Sequence, residues 1–110
     1  MDRSKRIAQL NDELRQTFNL LVGHIFLTKG FSTLPREDQI HIFGLIKAFN
    51  DFSADNDPHE KHDFGEVQYK NEKVFWKIDY YDSTMREHSK DAADPEKTTR
   101  VMTIMLVNEY

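Results

Sequence analysis

Residues 51–82 read DFSADNDPHEKHDFGEVQYKNEKVFWKIDYYD, and the two halves of this stretch obey different rules. The first thirteen residues hold four aspartates and two histidines. From Ser53 to His62 nothing apolar is larger than Ala54 or Pro58, so this part is a loop. The second half alternates. Phe64, Val67 and Tyr69 begin a strand, Lys70–Lys73 turn it, and Val74–Tyr81 return. In the return strand Val74, Trp76, Ile78 and Tyr80 share one face, which is expected to be the core side, and Phe75, Lys77, Asp79 and Tyr81 share the other. A hairpin with one buried face needs something apolar to cover it, and the flanking sequence supplies two amphipathic helices.

The first helix is expected from about Ser4 to about Asn19, with Asp2 or Ser4 as its cap and Ile7, Leu10, Leu14, Phe18 and Leu21 as its apolar stripe. Arg3, Lys5, Arg6 and Arg15 are assigned to its solvated face. Gly23 punctuates, and His24–Thr28 reads as a short strand ended by Lys29-Gly30. In the second helix Thr33 is the expected cap, Pro35 sits in the first turn, and Glu37 and Asp38 suit the positive end of the dipole. Ile42, Leu45, Ile46 and Phe49 make its buried face, with Ile40 and Phe43 widening it, while His41 is a boundary residue. Ser83–Thr98 is a long polar loop of the kind that is functional or mobile. Thr99–Tyr110 is apolar on both faces and reads as a central strand covered twice, with a buried helix as the alternative. The order α-β-α-β-β-β predicts a single α+β domain over residues 1–110, a mostly antiparallel sheet with both helices on one face.

Composition narrows the function classes. The chain has 110 residues, no cysteine and a net charge of −4. A thiolate metal site, a disulfide framework and a cysteine nucleophile are thereby excluded. No apolar run approaches the ~20 residues that span a bilayer, and MDRSKRIAQL does not have the pattern of a secretory signal, so no membrane is expected and the compartment expected is the cytoplasm. Charge is unevenly spread, at +2 over residues 1–50, −7 over 51–96 and +1 over 97–110. An acidic middle disfavours nucleic-acid phosphate and favours a basic protein surface or a cation.

Asp55, Asp57, His59, His62 and Asp63 are all of the type that ligates zinc, manganese or iron, and a loop can wrap such residues round an ion. The spacing is not HExxH, since His59 and His62 stand three apart. It is not an EF-hand either, because Glu60 takes the position that needs glycine. GxSxG, P-loop and GxGxxG motifs are absent. None of the nine lysines has an acidic residue two positions before it, as a carboxylate–lysine nuclease site would require. Asp63 and Asp79 could oppose each other across the hairpin as an acid–base pair, with Tyr80, Tyr81 and Asp82 lining the same cleft. The plainer reading is that Asp55, Asn56 and Asp57 form Asx-turns that tie the loop to the strand.

The runs DNDPHEKHDFG, VFWKIDYYD and TTRVMTIMLVNEY resemble a family of small, mostly alphaproteobacterial proteins catalogued as a domain of unknown function. IAQLNDELRQTF and the LP before the second helix also fit it, so the likeness extends over nearly the whole chain. Family members often lie on plasmids, prophages and other mobile DNA, and the resemblance implies that setting. Leu20-Leu21-Val22 departs from the polar, glycine-containing turn more usual there.

Together these readings predict a non-enzymatic protein-interaction module, in its narrower form a mobile-element accessory or inhibitor protein acting on a host protein, conceivably one of host defence. The expected binding surface is acidic, with Asp55, Asp57, Glu60 and Asp63 on one loop, Asp91 and Asp94 on the other, and Tyr80 and Tyr81 at its rim. The partner expected is a protein with a basic surface, and no cofactor is called for. The alternative is a metal-dependent hydrolase holding zinc or manganese on Asp55, Asp57, His59 and His62.

Overall fold

A computed structural model describes residues 2–110. Its elements are α1 (Arg3–Thr17), β1 (His24–Leu27), α2 (Lys29–Ser32), α3 (Arg36–Ala48), β2 (Phe64–Tyr69), β3 (Glu72–Tyr81) and β4 (Thr99–Leu106), closed by a 3-10 turn at Val107–Glu109. The expected α+β architecture is what forms: helices on one face of a four-stranded, mostly antiparallel sheet. Strand order is β1-β4-β3-β2. The β2–β3 and β3–β4 pairs are antiparallel, while β1 joins β4 in parallel, pairing His24 with Val101 through Leu27 with Ile104.

Hydrophobic alternation places the core. Val74, Trp76 and Ile78 of β3 and Met102 and Ile104 of β4 are buried against Leu14 of α1, Phe31 of α2, and Ile42 and Ile46 of α3. Trp76 lies at the centre, edge-on to Phe49 and Phe52. Opposite it on β2 stands Gly65, with no room for more: a Cβ there would lie 2.6 Å from Trp76 Nε1 and 2.7 Å from Cε2.

Several expectations need correction. Helix α1 stops at Thr17, because Phe18 takes a left-handed conformation (φ 53°) and caps it through its own N–H to Leu14 O. The apolar stripe therefore ends at Phe18, and Leu21 stands in solvent. Asp2 is the N-cap, accepting from Lys5 N. Strand β1 ends at Leu27, and Thr28 caps a one-turn helix not foreseen in the sequence. Thr33 closes that turn, leaving Pro35 at the start of α3. The hairpin turns on Lys70 and Asn71 alone, with Lys70 at φ 54°. Segment 99–106 is the central strand, but one of its faces has no helix over it: Val101 and Thr103 are half-buried there. Finally, Arg15 is not solvated. It is 1% exposed, inside the core.

Trp76→Ala should cost ~3–5 kcal/mol, a large share of the stability of a domain whose total is on the order of 5–15 kcal/mol. Gly65→Ala, which forces a methyl into the indole, should cost ~1–3 kcal/mol and lower the melting midpoint by roughly 5–15 °C. A Gly65→Ala midpoint within two degrees of wild type would show that the indole does not sit against this backbone.

Candidate functional site

The two polar loops do not meet each other; α1 lies between them and both are fastened to it. On one flank, Lys5, Ala8, Gln9 and Asp12 of α1 and Phe52–Ala54, Asp57, Pro58, Glu60 and His62 of the loop enclose a groove of about 620 Å³. On the other flank, Arg6, Leu10 and Glu13 form a cleft of about 440 Å³ with Leu20–His24, Pro95 and Thr98–Arg100.

The 51–63 loop is held by its own side chains, as the Asx reading expects. Asn56 Oδ1 accepts from Ser53 N and its Nδ2 donates to Asp51 O, both at 2.8 Å. Asp57 is buried, and its Oδ1 accepts from Lys61 N (2.9 Å) and His62 N (3.1 Å). These bonds stabilise left-handed residues at Glu60 (φ 57°) and His62 (φ 56°). His62 stacks flat on Phe52 at 4.0 Å between centroids. Its Nδ1 lies 3.1 Å from both carboxylate oxygens of Asp12, so that nitrogen is the donor, while Nε2 stands 3.8 Å from Asp57 Oδ2, beyond hydrogen-bond reach.

Of the four candidate metal ligands, Asp57 and His62 thus come together, while Asp55 and His59 are exposed on the outside of the loop. Among the described residues no three His, Asp or Glu side chains are grouped to hold one ion. A histidine oriented by a carboxylate is half of an acid–base pair, but the ring's other nitrogen faces Asp57 and not a nucleophile. Asp63 and Asp79 do not form a pair either. Strand alternation puts them on opposite faces, Asp63 accepting from Tyr80 and Asp79 pairing with Lys77 at 3.2 Å.

Tyr80 is not at a rim. It belongs to a buried chain of donors that the sequence did not reveal. Arg100 Nε donates to Asn11 Oδ1 (2.9 Å), and Asn11 Nδ2 donates to Lys61 O (2.9 Å) and to Tyr80 Oη (2.7 Å). Tyr80 O–H then donates to Asp63 Oδ2 (2.9 Å), and Arg100 Nη2 reaches Ala92 O. One asparagine of α1 therefore joins both loops to the sheet. Its signal was spacing: Asn11 stands four residues after Ile7 and four before Arg15, on the buried stripe. Burial, followed by the charge of Asp63, raises the Tyr80 phenol well above the usual range, and burial lowers the Arg100 guanidinium.

The 83–98 loop is equally built. Asp82 Oδ1 accepts from Thr84 N, Thr84 Oγ1 and Arg86 N; Asp91 Oδ1 accepts from Ala93 N and Arg3 Nε; Asp94 Oδ1 accepts from Glu96 N. The carboxylates of Asp82 and Asp91 are held below their usual range, chiefly by Thr84 and by the Ala93 N–H respectively. Asp91 and Asp94 are thus framework of the loop. The outward charges are Asp55, Glu60, Glu87 and Glu96, all exposed. Tyr81, half-buried, faces the sheet's other side, stacked at 6.5 Å on His88.

The chain belongs to the family described as "Protein of unknown function (DUF3768)", whose sequence model matches residues 27–109. The match contains both loops and all four strands but for the first three residues of β1. It leaves out α1 and the turn at residues 18–23, so the N-terminal likeness lies outside it. No curated protein and no solved structure matches the chain.

A phenol whose folded-state pKa lies above its unfolded value of ~10 favours the folded state below that pH, and the contribution is lost as pH rises from there toward the folded value. Ultraviolet titration should show a tyrosinate component that emerges only with alkaline unfolding and is missing from Tyr80→Phe. If Tyr80→Phe removes instead a component that titrates reversibly in the folded protein, the phenol is not buried in this chain. Loss of its hydrogen bonds should cost Tyr80→Phe roughly 1–2 kcal/mol at neutral pH.

Proposed function

We propose that the chain is a non-enzymatic protein-interaction module that takes a basic protein surface on its α1 side. One observation carries the reading. Leu20 and Leu21 stand next to each other, 70% and 96% exposed, on a turn that is fixed before any partner arrives. Asn19 Oδ1 accepts from Leu21 N, Asn19 O accepts from Val22 N, and Thr17 Oγ1 accepts from Asn19 N. Phe18 anchors the turn by packing edge-on against Phe43 under the Lys47 ammonium. Apolar side chains presented on a rigid turn bind without the entropic cost of ordering it.

The leucines line the same cleft as Pro95, whose neighbours are Asp94 and Glu96. Apolar anchor and acidic loop are adjacent, so charge steers a basic partner and the leucines hold it. They replace Tyr80 and Tyr81 as the anchor of the acidic face. The proposed compartment is the cytoplasm. In its narrowest form, which rests on the resemblance to proteins of plasmids and prophages, the partner is a host protein and the module its inhibitor.

The test is capture from a native lysate, repeated with variants. Leu20→Ser/Leu21→Ser should speed dissociation and weaken the captured partner more than tenfold, with the melting midpoint unchanged because both side chains are exposed. Glu87→Lys/Glu96→Lys should slow association several-fold, and the wild-type on-rate should fall steeply as salt rises. A partner that tolerates both pairs of substitutions, or binds with a salt-independent on-rate, would overturn the proposal.

A further inference from the structure

The side of the sheet away from the helices carries a second apolar surface. Alternation sends Phe26 of β1, Val101 and Met105 of β4 and Tyr81 of β3 to this side, where Met85 joins them around a hollow of about 470 Å³. Phe26 is 58% exposed and Met85 46%. Met85 is presented deliberately, in a left-handed conformation (φ 63°) at the tip of the turn that Asp82 knits together. Beyond the hollow, Tyr110 packs edge-on against Phe75 at 5.2 Å and Phe64 at 6.1 Å. Two apolar clusters thus border one central charged pair, Lys77 and Asp79, 3.2 Å apart.

Charge says what covers it, and the chain's total area leaves room for such a cover. The chain exposes 7060 Å², where a folded monomer of its mass, 13.0 kDa, is expected to expose roughly 6,300 Å². The excess is close to the ~800 Å² that a standard interface removes from each partner. The face is also neutral on a chain of net charge −4: Lys77 balances Asp79, and at its margin Lys73 balances Glu66. A neutral face selects neither a basic partner nor a nucleic acid. A surface with one cation beside one anion is complementary to itself, since a two-fold axis between them sets each Lys77 over the other copy's Asp79.

The geometry points to a homodimer formed by this open face, two copies packing sheet to sheet around Lys77 and Asp79 with Phe26 and Met85 as the apolar anchors. It uses none of the leucines of the proposed partner site, although Glu87 of that site's acidic loop stands on the same turn as Met85.

Sedimentation velocity of the full chain tests it, loaded on the order of 100 µM, above the micromolar constants that interfaces of this size reach. Wild type should sediment at twice 13.0 kDa, and Phe26→Asp/Met85→Asp as a monomer whose melting midpoint matches that of wild type diluted below its dimer constant. Lys77→Asp alone and Asp79→Lys alone should each weaken the dimer at least tenfold, and mixing these two variants should restore association as a heterodimer. Restoration by mixing is something the intrachain ion pair cannot produce. A wild type that stays monomeric, a Phe26→Asp/Met85→Asp variant that stays dimeric, or two charge variants that fail to associate on mixing would each overturn the proposal.

Discussion

A buried guanidinium holds the two long helices together. Arg15 projects from α1 into the C-terminal end of α3, where Nη1 donates to the carbonyls of Ile46 (2.9 Å), Lys47 (3.3 Å) and Phe49 (2.8 Å). Those carbonyls belong to the last turn of α3 and its cap, where intrahelical donors run out (Ile46 O alone has one, the Phe49 N–H at 3.2 Å) and the negative end of the dipole lies. A cation is what such an end lacks. Asp12, one turn back on α1, takes Nη2 at 2.9 Å, and the rings of Phe52 and Trp76 lie 5.5 and 5.3 Å from Cζ. Burying a charge is costly unless its partners are complete. Here the partners are a helix end, a carboxylate and two aromatic faces, and Nε is left without an acceptor.

This arrangement also settles the first acidic loop. Phe52 lies under Arg15 on one side and is stacked by His62, whose Nδ1 returns to the same Asp12 that binds Arg15. Asp12 therefore serves a core residue and a loop residue together. Asn11, its neighbour in sequence, does the equivalent for the second loop through Arg100 and Ala92. Two consecutive residues of α1 thus fasten both polar loops to the core. Of the residues that invite a metal-site reading, Asp57 and His62 are, on this geometry, fasteners of the loop, while Asp55 and His59 face outward.

Legibility in the sequence tracked how local the determining interaction is. The faces of β3 follow from alternation alone, and Trp76 and Ile78 are buried where the pattern puts them. Asp2, as a cap, needs only its own helix. By contrast, the parallel pairing of β1 with β4 joins residues about 77 apart, and no local period encodes it. Arg15 was assigned to solvent because charge outweighs position in a hydrophobicity pattern. Its place on the stripe, four after Asn11 and one after Leu14, was the contrary signal. Tyr80 was read on the correct face, but its phenol needed Asn11 and Asp63 to explain it. Long-range polar contacts are what one sequence leaves unstated.

Polar work and exposed surface are thus divided by the sheet. On the helix side Arg15 is paired with Asp12 and Arg100 is held by the neutral acceptors Asn11 Oδ1 and Ala92 O, while Leu20, Leu21 and the outward carboxylates of the two loops stand exposed. On the open side Lys77 and Asp79 cancel, leaving Phe26 and Met85. The molecule is 23 Å through its thinnest axis, close to one sheet and one layer of helices, so a second layer over the strands is the element this architecture is missing. Stable domains bury a sheet on both faces or keep one face polar. Here the open face is mixed, with Lys73, Lys77, Asp79, Thr99 and Thr103 standing among Phe26, Phe75 and Val101. A second copy supplies the missing layer at no cost in charge and keeps both α1 surfaces outward. Each acidic loop and its leucine turn would then appear twice on one particle, so a partner with two basic sites, or two partners, would be held by linked contacts whose avidity exceeds that of either alone.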